Sequence, residues 1–212
     1  MEDFLTKLHF EIVNILKEVK KICNENNLRY YLVGGTLLGA LRHKGFIPWD
    51  DDLDIGMPRE DFNRFIAICE KQLPEHLELM WITTNKRHWY PFAKVQIKNT
   101  LFLQSNFKSS KHNFGIFIDV FPIDEDKGLS EEVFKRKRKI NVLNSLMQQK
   151  VIPTVKSFKN LLSKCASAFV STKRLQRMQQ KLMTKNNRKG FDYYANYASN
   201  YSIKKQMIPK QD

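Results

Sequence analysis

Residues 32 to 58, LVGGTLLGALRHKGFIPWDDDLDIGMP, set two adjacent glycines ahead of an apolar run and then place four aspartates, Asp50, Asp51, Asp52 and Asp54, within five positions. Few folds accommodate that combination. Phe46, Ile47, Trp49, Leu53 and Ile55 hem the aspartates in, so a solvated acidic loop, the ordinary explanation of a charge run, would sit among side chains that avoid water. In an extended segment side chains alternate, which directs Asp50, Asp52 and Asp54 to one face and Asp51 and Leu53 to the other. Carboxylates sharing a face repel unless a cation holds them, and Mg2+ is usually held by one or two carboxylates plus waters and substrate phosphates. An EF-hand is excluded. Its sixth position would be Ile55 instead of Gly, its last Asp61 instead of Glu, and FIPW before it does not read as a helix.

The glycines narrow the choice among phosphate sites. Gly34-Gly35-Thr36-Leu37-Leu38-Gly39 lacks the GxGxxG spacing, and no GxxxxGK[ST] occurs in the chain. What remains is a strand, Arg29 to Val33, a tight turn at Gly34-Gly35 and a short helix from Thr36, near its N-cap, to about His43. The free N–H groups at such a helix start favour a phosphate, and the following Asp-x-Asp can hold the metal that bridges it. Asp119 adds a third carboxylate, since it lies in the apolar strand GIFIDVF and a buried charge there needs a partner. It completes a three-carboxylate metal site, acts as general base, or pairs structurally with a lysine.

Around this stretch the periodicities predict an amphipathic helix from Leu5 to about Asn26 and a helix from Pro58, at N1, to about Leu73. Strands are predicted at 53–57, 77–83, 92–97, 101–104 and 115–121, with Pro122 and Gly128 marking a boundary. From Ser130 the pattern is helical and basic, containing KRKRK, interrupted at Pro153 and resuming over 157–186. The fold class is therefore α/β (α+β), with residues 1–128 as a core and 129–212 as a basic helical extension packed on it.

Charge is divided unevenly. The net charge is +14, yet residues 135–212 hold 19 Lys and Arg against Asp192 and Asp212 only, a balance of +17, leaving −3 for the first 134. Phe158, Leu161, Leu162, Cys165, Phe169 and Val170, with Lys156, Lys159, Lys164, Lys173, Arg174, Arg177 and Lys181 around them, form an amphipathic cationic helix suited to an anionic membrane surface. The lack of interleaved aromatics argues against nucleic acid. Cys23, Cys69 and Cys165 have no CxxC spacing and are expected as reduced thiols in a cytosol. MEDFLTK does not read as a signal peptide, and the uncharged run from Tyr30 to Leu41 is too short to span a bilayer.

VGGTLLGALRHKGFIPWDDDLDIGM, together with YPFAKV (90–95) and GIFIDVFPID (115–124), resembles the LicD family of phosphocholine transferases, relatives of the fukutin-related proteins. The resemblance implies a nucleotidyltransferase-like mixed sheet flanked by helices. It also implies transfer of a phospho-alcohol, above all phosphocholine from CDP-choline, to a sugar hydroxyl of a teichoic acid, lipopolysaccharide or capsule. It suggests Asp52, Asp54 and Asp119 as catalytic ligands of Mg2+ or Mn2+, with Gly34, Gly35 and Thr36 against the donor phosphates and Asp50 beside them. Lys94 and the cluster Arg42, His43 and Lys44 are the cations expected near the diphosphate. Family members continue past the IPK at 208–210 with a Tyr-Gly-containing segment, which this chain, ending at Asp212, does not contain. Two other readings remain open: a DxD glycosyltransferase, although only one probable strand precedes Asp52, and a non-catalytic relative that holds a nucleotide or an anionic surface.

Overall fold

The computed structural model describes residues 2–85, 88–102, 114–151 and 170–210. Leu8, Ile12, Ile15, Val19, Ile22 and Cys23 recur at helical steps, and all are buried along one side of helix α1 (Glu2–Glu25). The chain divides into two units, residues 1–84 with 92–121, and residues 85–91 with 122–212.

The first unit carries strands β1 (Tyr31–Leu32), β2 (Asp54–Pro58), β3 (Leu77–Met80) and β4 (Ala93–Ile97), and the beginning of β5 (Phe117–Asp126). They are ordered β1-β2-β5-β4-β3, with β1–β2, β3–β4 and β4–β5 antiparallel. Helices α2 (Gly34–His43) and α3 (Arg59–Gln72) flank β2 in sequence. Ile55 and Met57 of β2, Phe62 and Phe65 of α3, Val95 of β4 and Ile118 and Val120 of β5 share the core with α1. The fold is a mixed α/β arrangement of sheet and flanking helices.

Several local expectations are corrected. β1 is two residues long and Tyr31 is half exposed, because β1 is an edge strand that, among the described residues, pairs with β2 alone. Helix α2 starts at Gly34, with φ +59°, and Val33 is its N-cap; Thr36 lies inside the first turn, its hydroxyl engaged elsewhere. Pro58 is the N-cap of α3 instead of its first residue. The strand expected at 101–104 is reduced to one bridge, Phe102 to Phe114, with 103–113 outside the described residues. Pro122 does not end its strand: β5 pairs with β4 through Phe117–Val120 and with β6 from Asp124 onward, and the proline falls between these ladders, where neither needs its missing N–H.

The second unit contains the end of β5, helices α4 (Glu131–Val151) and α5 (Thr172–Met183), and strands β6 (Tyr193–Ala195) and β7 (Met207–Pro209), with β5, β6 and β7 antiparallel in that order. The helix expected over 157–186 does not run unbroken. A new helix begins after Ser171, whose Oγ accepts from the Arg174 N–H; residues 152–169 are outside the described set, and Phe158, Leu161, Leu162, Cys165 and Phe169 with them. Two cations of KRKRK are internal: the Arg136 guanidinium sits 2.7 Å from Asp126, which also accepts from the Tyr197 hydroxyl at 2.5 Å, and the Lys137 ammonium donates to the Tyr197 and Ser199 carbonyls. Cys23 and Cys69 are buried free thiols that burial pushes upward, Cys23 to about 12, which makes them inert. Among the described residues no helix is long and apolar enough to cross a membrane.

Candidate active site

All of the site residues suggested by the sequence lie in the first unit. Asp54 opens β2, and its backbone ties the strand to α2: the Val33 N–H donates to the Asp54 carbonyl at 3.2 Å, and the Asp54 N–H donates to the Thr36 hydroxyl at 2.8 Å. From the other side the Asp119 N–H donates to the Leu53 carbonyl at 2.9 Å, so β5 is registered against the acidic segment. Gly34 and Gly35 let these carboxylates approach the helix start closely. A Cβ on Gly34 would lie 3.3 Å from Asp54 Oδ2, and one on Gly35 would lie 2.8 Å from Asp50 Oδ2.

Asp50, Asp51 and Asp52 each offer a carboxylate oxygen within 4.8 Å of the others. This corrects the alternation expected for Asp51, and the reason is local: the strand begins only at Asp54, so residues 50–53 are not pleated and Asp51 need not point away from its neighbours. The loop that presents the carboxylates is braced from α1. His9 Nε2 lies 2.7 Å from the Asp50 carbonyl while its ring stacks on Phe46, with centroids 4.0 Å apart.

Electrostatics reflect this crowding. Burial first, then the charges of Asp50, Asp119 and Asp51, push Asp52 up to about 6, with Lys94 drawing it back. Asp54 is pushed up to about 8, chiefly by burial and next by Asp119 and Asp52. Burial also raises Asp119, and Lys94 opposes it. Asp52, Asp54 and Asp119 therefore share one electrostatic neighbourhood.

Lys94 is 2% exposed, and its ammonium lies 2.6 Å from Asp119 Oδ1 and 3.4 Å from the centroid of Phe117, with Phe92 and Phe114 each 5.3 Å away. It is a buried cation in an aromatic cage, held against the third acid. Arg42 and His43 are exposed in the last turn of α2, about 12 Å along the helix axis from Gly34, and the structure does not bring them to the glycine end. Lys44 caps that far end with φ +58° and lines a cavity of 340 Å3 shared with Leu16, Leu32, Thr36, Phe46 and Asp50. Sequence reasoning missed His9 and the aromatic cage. The helical spacing of α1 offered no sign that His9 faces a loop 41 residues away.

A metal fits the grouped donors on chemical grounds: Asp50, Asp51 and Asp52, rather than the expected set of Asp52, Asp54 and Asp119, bring hard carboxylate oxygens within 4.8 Å of one another, next to a helix start whose N-cap supplies no side-chain hydrogen bond. Residues 27–150, more than half the chain, match the family described as LicD/FKTN/FKRP, nucleotidyltransferase domain. The chain belongs to the LicD family. It is 45% identical over 67 residues to the lipopolysaccharide cholinephosphotransferase LicD of Haemophilus influenzae, a match covering 32% of this chain and 25% of that protein. It is 59% identical over 44 residues to the human ribitol 5-phosphate transferase FKRP, covering 21% of this chain and 8% of that protein. An uncharacterised protein of Rickettsia prowazekii matches at 30% identity over 149 residues, 65% of this chain and 54% of the relative. The matches thus span about half, or much less, of the length of these curated relatives. The family's transferases act as phosphotransferases, which agrees in kind with clustered carboxylates at a helix N-terminus.

Proposed function

We propose that the chain transfers a phospho-alcohol, most simply phosphocholine, from a CDP-linked donor to a sugar hydroxyl of a cell-surface glycan such as lipopolysaccharide, teichoic acid or capsule. The observation that carries this reading is the crowding of aspartates at the start of α2: Asp50, Asp51 and Asp52 each offer an oxygen within 4.8 Å of the others, and Asp54 and Asp50 lie against Gly34 and Gly35. The acceptor oxygen forms a bond to the choline-bearing phosphorus, the bond from that phosphorus to the CMP oxygen breaks, and CMP leaves. Such transfer asks for positioning and charge stabilisation more than for covalent chemistry by the protein.

Within this reading Asp52 and Asp54 would hold Mg2+ or Mn2+, with Asp119 as the third acid and Asp50 at the edge. The bound cation would neutralise charge on the diphosphate. The N–H groups of Gly34, Gly35 and Thr36 receive phosphate oxygens, favoured by the positive end of the α2 dipole. Lys94 fixes Asp119 and contributes positive charge from below. The donor alcohol is tested by presenting CDP-choline and CDP-ribitol in parallel with a deacylated lipopolysaccharide acceptor and following acceptor mass. A gain equal to phosphocholine supports the reading. A gain of ribitol phosphate alone would reassign the donor, and no gain with either would remove it.

A further inference from the structure

The cavity of 340 Å3 has a composition that phosphate chemistry leaves unexplained. Its wall is mostly apolar, built from Val13 and Leu16 of α1, Leu32 of β1, Ala40 of α2, and Phe46 and Leu53. Three polar side chains belong to it, and two of them are already engaged. The Thr36 hydroxyl accepts from the Asp54 N–H at 2.8 Å, and the Lys44 ammonium turns to the Leu41 carbonyl, 3.5 Å away in an exposed contact, so the lysine lends its stem rather than its charge to the wall. Asp50 is the third. Its Oδ2 would lie 2.8 Å from a Cβ on Gly35, so the cavity meets the glycine turn at a carboxylate. The wall is held in place: a Cβ on Gly39 would lie 2.6 Å from the Gly45 carbonyl oxygen, which presses the Phe46 loop onto α2, and His9 stacks on the Phe46 ring.

We infer that this cavity receives the alcohol end of the donor and selects a quaternary ammonium, its methyl groups against Leu16, Ala40 and Phe46 and its positive charge toward Asp50. The inference rests on the CDP-linked donor proposed above and names the residues that choose among such donors. A trimethylammonium group is a cation with an apolar surface and no N–H to satisfy, so aliphatic and aromatic walls suit it and a carboxylate at the edge draws it in. A primary ammonium would turn N–H groups toward hydrocarbon, and a polyol such as ribitol would bring several hydroxyls to walls that offer them few partners. The local charge has the same sense, because Asp51 and Asp52 stand with Asp50, their oxygens within 4.8 Å of one another.

Phosphocholine, phosphoethanolamine and ribitol 5-phosphate all present a phosphate and differ at the end that would enter the cavity. Each is titrated calorimetrically into the full chain at one Mg2+ concentration, and the methyl protons of bound phosphocholine are followed by nuclear Overhauser contacts. The expected result is that phosphocholine binds about tenfold or more tighter than either of the others and that its methyl protons contact the Phe46 ring in the unaltered protein. Ala40→Leu fills the cavity from α2 and should abolish that preference while leaving the weak binding of phosphoethanolamine as it was. Leu16→Phe fills it from α1 and takes the place of Ala40→Leu should the latter fail to fold. Equal affinity for the three compounds, a preference that survives in a folded variant, or methyl contacts outside the cavity would overturn the inference. CMP release from CDP-choline, read beside the titrations, separates the two readings. Release without a preference for phosphocholine overturns the cavity assignment and leaves transfer standing, whereas a preference abolished by filling, without release, supports the cavity and counts against transfer.

Discussion

Asp54 is held at a cost to the fold. Its folded-state pKa is raised to about 8 from an ordinary value near 3.8, so the stability it contributes is present below pH 4 and is lost as pH rises through 8. At pH 8 in chelator, Asp54→Asn is therefore expected to melt higher than the unaltered protein, by the equivalent of about 1–3 kcal/mol, and the difference should shrink at pH 5. Thermal denaturation at the two pH values checks this, and a lower melting point at pH 8 would show that the carboxylate is structurally satisfied. Asp119 should behave in the opposite sense. Asp119→Asn removes the carboxylate that lies 2.6 Å from the buried Lys94 ammonium, a loss on the order of 1–3 kcal/mol. If Asp119 serves only to satisfy Lys94, the double variant Lys94→Met with Asp119→Asn recovers both stability and transfer. If it is also the third acid, stability returns and transfer does not.

At the scale of elements, Gly39 sets how closely the acidic loop returns along α2. Gly39→Ala brings a methyl group against backbone atoms of Gly45 and Ile47 that cannot swing aside, and it should cost about 1–3 kcal/mol while displacing Asp50 from Gly35. Urea unfolding measures the first effect and divalent-metal affinity the second. How legible these elements were in sequence follows from how local their causes are. The α1 stripe was readable, and the strands expected at 53–57 and 115–121 were placed to within a few residues at their starts, at Asp54 and Phe117, because period and apolar flanks suffice for that. The start of α2 was not, because the Thr36 hydroxyl leaves the capping role to accept from the Asp54 N–H, a partner 18 residues away. The assignment of Asp51 to the opposite face failed because pleating was extended into 50–53, a segment that is not a strand. Lys94 is expected from sequence as a cation near the diphosphate, but its aromatic cage draws on Phe114 and Phe117 from a distant segment, and no spacing rule announces that.

Across the whole molecule, the rear cations prove to be of two kinds, and composition alone does not separate them. Lys173, Arg174, Arg177 and Lys181 are exposed on α5, whereas Arg136 and Lys137 are buried ties inside the second unit. Burial lowers Lys137 to about 8, and its partners are carbonyls instead of a carboxylate. Its contribution to stability is thus present above pH 10.5, the ordinary lysine value, and lost as pH falls through 8. Between pH 7.5 and 9.5 the unaltered protein should gain stability relative to Lys137→Met, a slope visible in paired urea titrations; parallel curves would mean that the ammonium is fully compensated where it lies. Metal-dependent transfer by the first unit is tested in one assay. CMP release from CDP-choline in the presence of a sugar acceptor is measured across a Mg2+ titration for the unaltered chain and for Asp52→Asn and Asp54→Asn. The expected result is saturable, Mg2+-dependent release that falls about a hundredfold or more in both folded variants. Release that ignores Mg2+, or that survives in either variant, would contradict it.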